Sequence, residues 1–99
     1  MFTVLRSDVF DQWLKGLKDK RGVVRIVARV RALEAGHFGD MRPVGGGVSE
    51  LRIHHGPGYR LYFMRRGQQV YLLLLAGRKA SQKRDIARAL DMARSLSEE

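Results

Sequence analysis

The stretch "SELRIHHGPGYRLYF", residues 49–63, decides how this chain folds. Leu51 and Ile53 alternate with Arg52 and His54. Leu61 and Phe63 alternate with Arg60 and Tyr62, the period of two that marks half-buried strands. "HGPG" between them is turn chemistry, so the stretch predicts a β-hairpin. If the four apolar residues share one face, the loop contains an odd number of residues, because a one-residue slip would turn one strand over. Arg52, His54 and Arg60 then sit together on the opposite face, with no carboxylate partner from their own strands. Glu50 is the only acid in the stretch. A hairpin has no need of that much positive charge, so the charge faces something else.

Working outward, "FTVLR" near the start reads as a short strand. Ser7 is a helix N-cap with Asp8 in the first turn. Val9, Phe10, Trp13, Leu14 and Leu17 follow at helical spacing, until "KDKRG" breaks the pattern. A second helix fits residues 22–35, with Val23, Val27 and Val30 on one side and Arg25 and Arg29 on another. Gly36 stops it. The tight connection predicts an α-hairpin. "GHFGDMRPVGGG" reads as a loop. Three strands follow, over residues 48–54, 59–65 and 69–76. "VYLLLL" is apolar on both faces, which predicts a central strand covered on both sides. The last helix runs from about Ser81 to about Leu96. The order is β-α-α-β-β-β-α, an α+β fold with a small antiparallel sheet, an N-terminal helical hairpin and a C-terminal helix. At 99 residues the chain is expected to be one domain, 1–99.

Charge narrows the function. Nineteen Lys and Arg against ten Asp and Glu give a net charge of +9, and arginine heavily outnumbers lysine. Between residues 51 and 84 stand Arg52, Arg60, Arg65, Arg66, Arg78, Lys79, Lys83 and Arg84, without one acid. A solvated basic surface explains any one of these residues. The segregation of all of them points to a polyanionic partner, since solubility alone is served by mixed signs. "AGRKASQKRD" places Lys83 and Arg84 in the first turn of the last helix, where cations oppose the dipole, so that end reads as an anion site. With no cysteine there is neither a disulfide nor a thiolate metal site. No apolar run approaches the ~20 residues of a membrane span, and "MFTVLRSDVF" lacks a signal peptide's apolar segment. The expectation is a soluble cytoplasmic protein with no membrane partner.

Other signals are weaker. His54 and His55 are adjacent and diverge in a strand, which does not suit the convergent ligands of zinc. "VGGG" lacks the Lys-Ser/Thr of a phosphate loop, and no Ser/His/Asp set has supporting spacing. Phe63 and Trp13 belong to the core. Tyr59 and Tyr62 are candidates for partial exposure and stacking on bases.

"VSELRI…GPGYRLYF", followed by a hydrophobic strand and "AGRKASQKRDIARAL", resembles the RelE/ParE superfamily of toxin–antitoxin toxins. "GDMRPVGGGVSELRIHHGPGYRLYF" resembles its HigB-type, phage Gp49-like branch of addiction-module killer proteins. The resemblance implies a ribosome-dependent mRNA endoribonuclease that enters the A site and cuts without metal or small-molecule cofactor. It also implies a cognate antitoxin, commonly a helix-turn-helix protein. Arg60 matches the family arginine of "GYR", the natural transition-state stabiliser. Arg52 and His54 match paired basic residues on the preceding strand, and Arg78 and Lys79 those after the last strand; Lys83, Arg84 and Tyr62 join them as RNA contacts. With an ordinary pKa of ~6.5, His54 is suited to take the 2′-proton, and surrounding cations should favour its neutral form. Several relatives carry a tyrosine or histidine in the last helix. Asp85 stands there instead, so the general acid is unassigned. Two other functions stay open: a ParE-like poison of DNA gyrase, whose relatives generally lack the basic cluster, and a plain nucleic-acid-binding module.

Overall fold

A computed structural model describes residues 1–97. Nine elements follow the chain: β1 (Thr3–Arg6), α1 (Asp8–Gly16), α2 (Lys20–Glu34), β2 (Met41–Gly45), β3 (Val48–Ile53), β4 (Tyr59–Arg65), β5 (Val70–Arg78), a 3₁₀ turn (Lys79–Ser81) and α3 (Gln82–Ser97). The α+β class is the expected one. The sheet differs in two respects. It has five strands in the order β1-β5-β4-β3-β2, and it is mixed, because β1 pairs parallel with β5.

The unexpected strand is β2, which lies in the segment read as a loop. Its sequence, "MRPVG", carries a proline and no alternation, so it lacks the usual strand signal. Proline is admissible there because β2 is an edge strand, where a missing N–H breaks no interior ladder. Gly45, Gly46 and Gly47 all have positive φ and turn the chain tightly into β3.

The caps follow the expected chemistry. Ser7 Oγ accepts from the Phe10 N–H at 3.0 Å, and Asp19 Oδ1 accepts from the Gly22 N–H at 3.0 Å. Asp19 starts α2 two residues earlier than the apolar pattern indicates. Gly36, at φ 86°, follows α2 as its stop.

Helices cover both faces. Phe10 and, from α2, Ile26 and Leu33 pack on Leu51, Ile53, Tyr59, Leu61, Phe63 and Leu73. On the other face Ala89 and Ala93 of α3 pack on Val48, Tyr62, Met64, Leu74 and Leu75. β5 is an interior strand between β1 and β4 and is covered on both sides, as "VYLLLL" demands, but the middle of the sheet is β4 rather than β5. A bulge at its pairing with Tyr62 and Phe63 shifts the register there.

The hairpin register positions everything that follows. Residues 54–58 form the loop, an odd number, and Ile53 pairs with Tyr59. Arg52 therefore stands directly opposite Arg60, while Gly77 of β5 flanks Arg60 on its other side. Both arginines lie on the α3 face.

Candidate active site

At the loop end of the hairpin a cleft of about 490 Å³ is bounded by Arg52, Arg60, Lys79 and Gln82, with the loop from His54 to Gly58 as its wall. Gly58 has φ 76°, and a Cβ there would come within 3.3 Å of Lys79 Cβ and 3.7 Å of Arg60 Nη1. Only glycine lets the loop close down at this point. The Lys79 N–H donates to the Gly58 carbonyl at 2.7 Å, sewing the wall to the end of β5.

Arg60 is only 5% exposed. Its Nη1 donates to the Tyr59 carbonyl at 3.2 Å, its Nε has no partner, and among the described residues it forms no ion pair. Burial of a guanidinium without an anion is costly. Such a group is either strained by accident or held ready for an anion that comes and goes.

The other members of the expected trio are not free. Arg52 Nε donates to Glu50 Oε1 at 3.1 Å, and Glu50 is fully buried. The expectation of no carboxylate from the same strands is therefore wrong for Arg52. The signal was available: Glu50 is two residues before Arg52, and strand parity puts both on one face. Gln82 Nε2 donates to the other Glu50 oxygen at 2.8 Å. His54 lies just past the end of β3 and is largely exposed at the rim. Its Nε2 is 2.6 Å from Asp40 Oδ2, so its nearest charged neighbour is an anion, not a cation. This bond is the largest cause holding the Asp40 carboxyl below its ordinary value.

Arg29, unassigned by the sequence reading, prepares this corner. It donates to the carbonyls of Arg52 at 2.5 Å, Phe38 at 2.8 Å and Asp40 at 3.2 Å. That fastens the segment carrying Asp40 against β3.

Four expected anion contacts lie elsewhere. Tyr62 is fully buried under α3 and offers no face for stacking. Burial, then the charge of Glu50 and the approach of the hydroxyl to that carboxylate, push its pKa up, although the hydroxyl makes no well-formed hydrogen bond. Arg78 pairs in register with Tyr59, whose ring is on the α1–α2 side. Lys83 and Arg84 border a separate exposed patch with Ala80 and Ala87. Successive helical residues turn by about 100°, so the first turn that aims Gln82 into the cleft swings residues 83 and 84 away. Of the expected set, Arg52, Arg60, Lys79 and His54 come together.

The start of α3 also differs from an open anion site. Asp85 is buried, accepts from Ser81 Oγ at 2.5 Å and lies over Gly77, where a Cβ would collide with its carboxylate. The chain's own carboxylate fills that position.

His55 turns the other way, as adjacent histidines should. Its Nε2 is 3.4 Å from Asp19 Oδ2, which also accepts from Tyr59 Oη at 2.7 Å. The Tyr59 bond, then that of the Gly22 N–H, hold the Asp19 carboxyl below its ordinary 3.8. Among the described residues no three His, Asp or Glu side chains gather where a metal ion could sit. No helix among them is long and apolar enough to cross a membrane. A larger groove, about 570 Å³, runs along α2 beside Val24 and Arg25, but it is mainly apolar and gathers no catalytic set.

Comparison with known proteins adds two findings. A family model described as phage-derived protein Gp49-like matches residues 12–96. A Haemophilus influenzae protein described only as uncharacterized is 41% identical over 87 residues, 88% of each chain.

Proposed function

The chain belongs to the Gp49-like family of phage-derived proteins, a family of HigB/RelE-like addiction-module toxins, and on that premise we propose that it cuts mRNA in the ribosomal A site. The observation that supports this most is Arg60, a buried guanidinium without an anion in a cleft walled by further cations. A scissile phosphate supplies the missing charge. As a family member the protein has a cognate antitoxin as its partner. A helix-turn-helix protein and a cytoplasmic setting complete the reading.

The chemistry needs no metal. A ribose 2′-hydroxyl passes its proton to His54 while its oxygen attacks the adjacent phosphorus. The P–O5′ bond then breaks, leaving a 2′,3′-cyclic phosphate and a 5′-hydroxyl. The Asp40 bond assigns a proton to Nε2 of His54, which leaves Nδ1 as the acceptor. Arg60, with Arg52 beside it, meets the charge that grows on the phosphorane, where fixed donors act most strongly. Lys79, the cleft's ammonium, gives the departing 5′-oxygen its proton. Arg78, Lys83 and Arg84, exposed outside the cleft, hold flanking phosphates electrostatically.

The test is a cell-free translation reaction with and without the purified protein, its mRNA ends mapped by primer extension. New 5′ ends inside codons of translated mRNA support the reading. Intact mRNA alongside DNA gyrase poisoning would replace it with a gyrase toxin, and intact mRNA with RNA bound would leave a binding module.

A further inference from the structure

We propose that Glu50 is a positioning residue that holds the Arg52 guanidinium with its two Nη groups turned to the cleft. The inference rests on the RNA-cleaving reading for its consequence, though not for its geometry. Glu50 is fully buried, and each carboxylate oxygen accepts one hydrogen bond, from Arg52 Nε at 3.1 Å and from Gln82 Nε2 at 2.8 Å. The two donors come from different elements, β3 and α3, and both border the cleft. One buried anion therefore ties two walls of the site together.

The choice of nitrogen matters. A guanidinium bonded at Nε keeps both Nη groups free, the edge that grips a phosphate with two parallel hydrogen bonds. Like charges opposite one another on paired strands repel, and Arg52 faces Arg60 directly. Glu50 offsets this by bonding Arg52 while leaving Arg60 unpaired. A purely structural role is a poorer explanation. A buried ion pair replaced by well-packed apolar residues is often neutral or better for stability, so stability alone does not call for a carboxylate here.

The test pairs a spectroscopic signal with kinetics. In ¹⁵N NMR the Arg52 Nε–Hε peak, assigned by its loss in Arg52→Lys, should exchange slowly with solvent in the wild type. It should exchange about tenfold faster in Glu50→Leu, where the acceptor is gone. In mRNA cleavage on programmed ribosomes, Glu50→Leu should lower kcat about tenfold with KM little changed, and Glu50→Leu/Arg52→Ala should be no slower than Arg52→Ala alone. Unchanged exchange in Glu50→Leu, or losses that simply multiply in the double variant, would overturn the proposal. Should Glu50→Leu not fold, Gln82→Ala takes its place. Removing that half-exposed donor should speed Arg52 exchange about threefold, and no change there would overturn it equally. A wild type that cuts no mRNA removes the RNA-cleaving reading, while the exchange measurement still decides the role of Glu50.

Discussion

Two tyrosines of β4, three residues apart, lie on opposite faces of the sheet and are treated differently. Tyr59, on the α1–α2 face, is fully buried and donates its hydroxyl to Asp19 at 2.7 Å. Tyr62, on the α3 face, is equally buried, yet its hydroxyl has no partner. Arg60 lies between them in sequence, on the side of Tyr62, and its Nε is also unpartnered. One face is thus closed, with its polar groups satisfied and its aromatic rings interlocked. Trp13 meets Tyr59 edge-on at 5.8 Å, and Phe63 meets Tyr71 at 5.4 Å. The other face carries two buried polar atoms without well-formed hydrogen bonds, and one of them, Arg60 Nε, belongs to a residue that borders the cleft. Unsatisfied buried groups are costly and rare in folded proteins. Their concentration on one face distinguishes the half of the sheet closed over by α1 and α2 from the half that borders the cleft.

That contrast is open to direct attack. Its largest break is in the closed face: Phe10→Ala, which empties a fully buried ring site, should lower unfolding free energy by about 3–5 kcal/mol, read from urea denaturation. Tyr59→Phe comes next. It removes the donor to Asp19 and should cost about 1 kcal/mol, since Asp19 is partly open to water and can regain a bond there. Tyr62→Phe sharpens the comparison by its small effect. It removes a hydroxyl that lies toward Glu50 without a well-formed bond, so the same denaturation experiment should show a smaller loss than Tyr59→Phe or none.

The last effect concerns pH and is one of direction. Asp19 and Asp40 both have folded-state pKa values below their ordinary 3.8, chiefly through the bonds from Tyr59 and His54. As pH falls, the unfolded chain takes up these protons first. The stability the two carboxylates contribute is therefore present above about pH 4 and is lost as pH drops through the folded values. Thermal unfolding measured from pH 7 to pH 3 should show a shallower fall in Tm for Asp19→Asn/Asp40→Asn than for the wild type.

Backbone-level features were legible in the sequence wherever a local rule governs them. Period-two alternation with an odd loop put Arg52 and Arg60 on one face. The double apolar face of "VYLLLL" put β5 inside the sheet with cover on both sides, although β4 is the middle strand, and Ser7 and Gly36 marked helix ends. The misses are of another kind. β2 was hidden because Pro43 and three glycines read as loop, and only its edge position makes them compatible with pairing. His54 was expected among cations, but Arg29 fastens Asp40 beside it through backbone carbonyls far along the chain. Lys83 and Arg84 depend on where α3 begins, because a helix shifted by one residue turns its side chains through about 100°. Glu50 was seen as a lone counter-charge. Its bond to Gln82 spans 32 residues, and no spacing rule reaches that far.

The measurement that bears most directly on the unpaired guanidinium is made on one pair of proteins, wild type and Arg60→Ala. Cleavage of ribosome-bound mRNA and thermal unfolding are followed on the same preparations. Cleavage should fall about a hundred- to a thousandfold, the scale of losing a fixed donor to a charged transition state. Tm should hold or rise, because the group removed is buried without an anion. Cleavage within a few-fold of wild type would contradict the assignment of Arg60 to the phosphate. A steep loss of Tm accompanying the loss of cleavage would make Arg60 a structural residue instead.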